Sequence, residues 1–118
     1  MAIIKAVNSK SSIARAINYI TKAEKTEKKL ISGIDCNPET AIDEMKATKE
    51  LYDKNDGRQY AHFIQSFNPK DNISPEKAHE IGKEFIEKND KFKGHEIVLA
   101  THKDKDHIHN HFIINSVN

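Results

Sequence analysis

Apolar residues recur along this chain in two rhythms, and the switch between them outlines a fold. "AIIKAV" (Ala2–Val7) is short, β-branched and followed by the polar break "NSKS", which predicts a strand. Ser11 is placed to cap a helix in which Ile13, Ile17 and Ile20 recur at helical spacing as one apolar stripe. The charged connector "KAEKTEKK" leads to "LISGI" (Leu30–Ile34), a short strand suited to a sheet edge. Asn37 then reads as a helix cap, with Pro38 in the first helical position and Glu39 in the first turn. Ala41, Met45, Thr48 and Tyr52 share one face of that helix. "NDG" (Asn55–Gly57) is a turn, and "YAHFIQSF" (Tyr60–Phe67) a third strand. Ser74 and Pro75 repeat the helix-start signal, with Ala78, Ile81 and Phe85 directed inward. "HEIVLATH" (His95–His102) and "HIHNHFIINSV" (His107–Val117) follow as two strands joined by the polar "KDKD".

The order β-α-β-α-β-α-β-β predicts an α/β fold of the α+β kind. Its core is an antiparallel or mixed five-stranded sheet with helices packed on one face. Residues 1–118 suffice for a single domain. The chain stops directly after a strand, so it is expected to be the N-terminal part of something longer.

Composition narrows the setting. Hydrophobic residues make up 36% and charged residues 31%, as in soluble globular proteins. Cys36 is the single cysteine, which excludes an internal disulfide framework and fits a reducing compartment. No apolar run approaches the ~18 residues of a membrane span. The start lacks a signal peptide's long apolar region, so a cytoplasmic location is expected. A formal net charge of +1 leaves any nucleic-acid contact to local clusters. Lys10, Arg15 and Lys22 flank the first helix and could hold phosphates.

Candidate chemistry concentrates at the end of the chain, where four of seven histidines fall between His102 and His111. Side chains on a strand alternate between faces. If "KDKDHI" is the loop of a hairpin, His102 lies opposite His109 and Ala100 opposite His111. All three histidines then project from one face, with the small Ala100 leaving room for an imidazole. Three neutral imidazoles can hold a divalent cation and leave positions open for catalysis. Imidazole suits Zn²⁺, Mn²⁺, Co²⁺ and Ni²⁺, whereas Mg²⁺ prefers oxygen. His107 falls in the loop, and Asp104 and Asp106 are placed to orient an imidazole. On the third strand His62 shares a face with Ser66 and opposes Gln65; it is a candidate lining residue. The isolated His79 and His95 read as surface or satisfied polar residues.

"HIHNHFIINSVN" resembles the His-hydrophobic-His metal motif of the mobilisation relaxases, DNA strand transferases of conjugative plasmids and integrative elements. "SSIARAINYITK" is similar to that family's helix carrying a nucleophilic tyrosine, and "HFIQSFNP" to a middle segment. The likeness runs over essentially the whole chain. It implies a compact nicking domain with an antiparallel sheet, Tyr19 as nucleophile and His102, His109 and His111 as metal ligands. It also implies Mg²⁺ or Mn²⁺ first, with Zn²⁺, Co²⁺ or Ni²⁺ as alternatives. The implied partner is single-stranded DNA at an origin of transfer, with accessory mobilisation proteins. Related replication initiators place their tyrosine after the metal motif; here the candidate precedes it, as in relaxases. Tyr19 lies roughly 120° from the centre of the isoleucine stripe, at about 100° per residue, so it flanks the core face. The rival expectations are a non-catalytic metal- or DNA-binding module of this fold and a metal-dependent nuclease that uses water.

Overall fold

The structure is a computed structural model describing residues 2–7, 12–22, 26, 30–51, 60–68, 70, 72–103 and 108–115, with backbone alone at 2–3 and 49–51. The elements are β1 (Ala2–Val7), α1 (Ile13–Ile20), β2 (Ile31–Ile34), α2 (Ala41–Leu51), β3 (Tyr60–Phe67) and α3 (Pro75–Glu87). A short 3-10 turn (Asp90–Phe92) then precedes β4 (Ile97–His102) and β5 (His109–Asn115). The five strands form one sheet in the order β1-β3-β5-β4-β2. Every pairing is antiparallel. β2 is an edge strand, as its shortness suggested, and the terminal β5 lies at the centre.

Helix starts follow local hydrogen-bond chemistry. Ser12, one residue beyond the expected Ser11, caps α1: its hydroxyl accepts from the Arg15 N–H at 3.1 Å. Ser74 caps α3 in the same way, accepting from Lys77 N–H at 3.1 Å with Pro75 behind it. The Asn37–Pro38 signal builds a turn instead of a helix. Asn37 Oδ1 accepts from Glu39 N–H at 3.0 Å, and the first helical bond runs from Glu44 N–H to the Thr40 carbonyl at 3.0 Å. Glu44 reaches back to the Asn37 N–H and the Thr40 hydroxyl, both at 2.8 Å, so α2 begins at Ala41. Ala41 and Met45 are buried on the expected face and Thr48 is half-buried; Tyr52 and Asn55–Gly57 lie outside the described residues.

Helices cover both faces of the sheet, not the single face expected. Val98, Ala100 and Ile113 pack under Ile13, Ile17 and Ile20 of α1 and Met45 of α2. Leu99, Phe112 and Ile114 pack on the other side, against Ile86 and Phe85 of α3 and Phe92. The cause is legible in "IVLA" and "FII", which are apolar at both parities, as strands buried on both faces must be. On α3 the deepest positions are Ala78, His79, Gly82 and Ile86, while Ile81 and Phe85 are half-buried. The stripe turns because α3 approaches β5 closely at Gly82. A Cβ there would stand 2.7 Å from Asn110 Nδ2.

That approach serves a buried polar network on the α3 face. Asn110 is fully buried and donates to the Ala78 carbonyl at 2.7 Å and to Gln65 Oε1 at 2.9 Å. Its Oδ1 accepts from the Thr101 hydroxyl at 2.6 Å. Thr101 Oγ1 must therefore accept from His79 Nδ1–H at 2.9 Å, and His79 Nε2 meets Ser32 Oγ at 2.7 Å. His79 is thus a satisfied core histidine. No buried side-chain polar atom among the described residues lacks a partner, which is the condition for such a network to specify a structure.

Burial, and secondarily Lys83, lower the His79 pKa below its ordinary value. The unfolded chain therefore binds this proton first as pH falls, starting near ~6.5. The contribution of neutral His79 should be intact above that value and decline as pH drops toward the folded value. Urea unfolding between about pH 7 and about pH 5 should show stability falling in the wild type. His79→Gln should be less stable throughout but with a flatter slope; an equal slope would contradict this assignment.

Candidate active site

The β4–β5 hairpin sets the histidines in the register their spacing predicts. His102 pairs with His109 and Ala100 with His111. On the other flank of β5, β3 sets Ser66 opposite His109 and Ile64 opposite His111, with His62 opposite Ile113. His62 and Ser66 therefore share the histidine face, and Gln65 points to the α3 side where it receives Asn110.

The rings gather around His111. Centroid separations are 4.0 Å to His102, 5.3 Å to His62 and 6.2 Å to His109. His62 Nε2 and His111 Nδ1 stand 3.0 Å apart, so one of these nitrogens donates to the other. Burial first, then the neighbouring His102, hold the His62 pKa below its ordinary value and keep that ring neutral. Tyr19 stands edge-on to the cluster, its ring 6.1 Å from His102 and 6.3 Å from His111, and it is 43% exposed. A phenol at that position faces both the imidazoles and solvent.

One hydrogen bond ties the tyrosine to the cluster. Ile20 ends α1, and its carbonyl is among those a helix end leaves without an intrahelical donor. His102 Nε2 fills that need at 2.9 Å. A carbonyl only accepts, so Nε2 carries the proton it donates. The same contact clamps the turn that carries Tyr19.

Whether the residues suit a metal is a question of donor chemistry and arrangement. Three imidazoles share one face, and one has its tautomer fixed by a backbone acceptor, as ligating histidines usually have. As the side chains stand, no three His, Cys, Asp or Glu among the described residues form a group that could hold an ion. The donor set suits a divalent cation by chemical type, three imidazoles on one face of the sheet. Cys36 is no rival ligand or nucleophile: burial, then Glu44 and Glu96, push its thiol up to about 11.

Arg15 is exposed on α1 with Asn18 and Tyr19, Lys22 is exposed just past the helix end, and the helix itself, "IARAINYI", carries no acidic residue. Lys10, Asp104, Asp106 and His107 lie outside the described residues. Two participants escaped the sequence reading. The Ile20 carbonyl has no sequence signal at all. Asn110 had one, a polar residue in the middle of an apolar strand.

This arrangement, a phenol on the first helix above histidines on a central antiparallel hairpin, defines a class. The chain belongs to the relaxase family: residues 19–118 match the model described as "Relaxase: MobA/VirD2-like, nuclease domain". It is 44% identical over 117 residues to a "Protein rlx" of Staphylococcus aureus, covering 99% of this chain and 35% of that protein. A second Staphylococcus aureus "Protein rlx" is 42% identical over 118 residues, 100% of this chain and 34% of the relative. The "Group II intron-interrupted relaxase LtrB" of Lactococcus lactis subsp. cremoris (strain MG1363) is 43% identical over 98 residues, 81% of this chain and 17% of that protein. The chain thus spans about a third of the length of the rlx relatives. No solved structure matches it. No helix among the described residues is long and apolar enough to cross a membrane.

Asn110→Leu should strand the Thr101 hydroxyl, the Ala78 carbonyl and Gln65 in the interior, costing about 3 kcal/mol or more in urea unfolding. Tyr19→Phe, at an exposed position, should change stability by no more than about 0.5 kcal/mol. A neutral Asn110→Leu would contradict the network's role.

Proposed function

We propose that this domain nicks and rejoins one strand of DNA at an origin of transfer, as the cytoplasmic nicking part of a longer mobilisation protein. The observation that carries the reading is the Tyr19 ring, half-exposed, within 6.3 Å of the His102 and His111 rings. Tyr19 is the nucleophile. Its oxygen forms a bond to the scissile phosphorus as the bond from phosphorus to the 3′ oxygen breaks. The phenol gives up its proton and the 3′ oxygen gains one. The products are a 5′-phosphotyrosine link and a free 3′ hydroxyl, and the reverse reaction rejoins a strand without ATP because the bond count is conserved.

His102, His109 and His111 are the side chains that would hold a divalent metal, Mg²⁺ or Mn²⁺ first, with Zn²⁺, Co²⁺ or Ni²⁺ as alternatives. Such an ion, when bound, neutralises phosphate charge and orients the group for in-line attack. His62 acts as a positioning residue, holding the His111 ring through their 3.0 Å contact. Arg15 on α1 and Lys22 just past its end meet phosphates, a contact that weakens as salt rises. Accessory mobilisation proteins are the further partners this reading implies.

The test is a labelled single-stranded oligonucleotide carrying an origin-of-transfer sequence, incubated with protein and Mn²⁺ or Mg²⁺. A denaturation-resistant protein–DNA adduct should form, and Tyr19→Phe should abolish it. Cleavage without an adduct, unchanged in that variant, would identify water as the nucleophile and overturn the reading. In calorimetric titration with Mn²⁺, His109→Ala should lose affinity by at least about 100-fold while circular dichroism stays unchanged. Equal affinity would remove His109 from the ligand set.

A further inference from the structure

α1 has a second flank. Asn18 is turned about 100° from Tyr19 around the helix, and Thr21 and Ile17 lie beyond it. There an open cleft of ≈ 490 Å³ lies between α1, β2 and the turn before α2. Ile17, Ile31, Pro38 and Ile42 line it with apolar surface, and Asn18, Asn37 and Glu39 supply its polar groups. The turn that forms one wall is braced by the Asn37–Glu39 and Asn37–Glu44 hydrogen bonds, at 3.0 and 2.8 Å, so the cleft is preformed. Nothing in the proposed strand-transfer chemistry uses it.

We propose that this cleft takes one unpaired nucleobase of the DNA strand whose phosphate meets Tyr19, and that it prefers a base bearing an exocyclic amine. The occupant follows from size, polarity and charge, and it rests on the strand-transfer reading above. The volume suits a base with its sugar and lies in the range of small-ligand sites. Aliphatic walls can bury the flat faces of a base, while amides reach its edges. Asn18 offers the donor–acceptor pair that matches adenine best, and the Glu39 carboxylate, which only accepts, favours an amino group over a carbonyl. Thymine has no exocyclic amine. Arg15, exposed on α1, and Lys22, exposed just past its end, attract phosphate on the outer side. Charge therefore orients the nucleotide with its base inward and its backbone across α1 toward Tyr19.

The test is a titration of the chain with dAMP, dCMP, dGMP, dTMP and inorganic phosphate, followed by NMR of the Ile17, Ile31 and Ile42 methyls and the Tyr19 ring. The three amino-bearing nucleotides should shift all three methyls, binding roughly tenfold more tightly than dTMP. Inorganic phosphate should shift none of the methyls. Ile42→Trp, which fills the cleft, and Asn18→Ala, an exposed change that leaves the core alone, should each weaken the nucleotide effect. Methyls that stay still with every nucleotide, or move equally with inorganic phosphate, overturn the proposal even if the Tyr19 adduct forms. Methyl shifts as expected with no adduct on any origin oligonucleotide would instead keep the base site and sink the strand-transfer reading.

Discussion

His102 faces His109, and Ala100 faces His111, only while β4 and β5 keep their antiparallel register. A slip of one residue would send His109 and His111 to the α3 side and bring Asn110 to the Tyr19 side, because side chains alternate along a strand. The hydrophobic pattern resists such a slip weakly here, since both strands are apolar at both parities. A polar pair supplies what the pattern lacks. Thr101 lies directly opposite Asn110 and donates to it at 2.6 Å, on the face opposite the histidines. In any other register both groups would be buried without that partner, at a cost of about 1–3 kcal/mol each. The far side of the sheet thus specifies the near side.

The near side is divided along its length. Where Val98, Ala100 and Ile113 project, α1 and α2 cover the sheet and form a core. Where the strands run on to His102, His109 and His111, the end of α1 reaches over through the Ile20 carbonyl and the Tyr19 ring. The helix end needs a donor and His102 needs an acceptor. One hydrogen bond at 2.9 Å meets both needs, fixing a tautomer and the position of the neighbouring phenol together.

Much of this could be read from the residues, for physical reasons. Strands β1 and β3 match their expected bounds because a β-branched run in β1 and an aromatic-rich run in β3, each flanked by polar breaks, are strong local signals. The histidine register could be read because a period of two and a short hairpin leave few alternatives. Three features could not. The α2 start moved because the Asn37 side chain closes a turn, a competition decided by Glu44 seven residues on. Helices on both faces follow from tertiary burial of β4 and β5, which their doubly apolar runs hint at but local periodicity does not resolve. The His79–Thr101–Asn110 chain joins α3, β4 and β5, and its Thr101 hydroxyl must choose its acceptor in three dimensions. His79 alone resembles any surface histidine.

The most direct measurement is an anomalous-difference map from crystals of this chain soaked in Mn²⁺. The account predicts a single strong peak bounded by the His102, His109 and His111 rings, on the side of the sheet that Tyr19 overlooks. A peak elsewhere on the molecule, with those three rings hydrogen-bonded among themselves and ion-free, would contradict it.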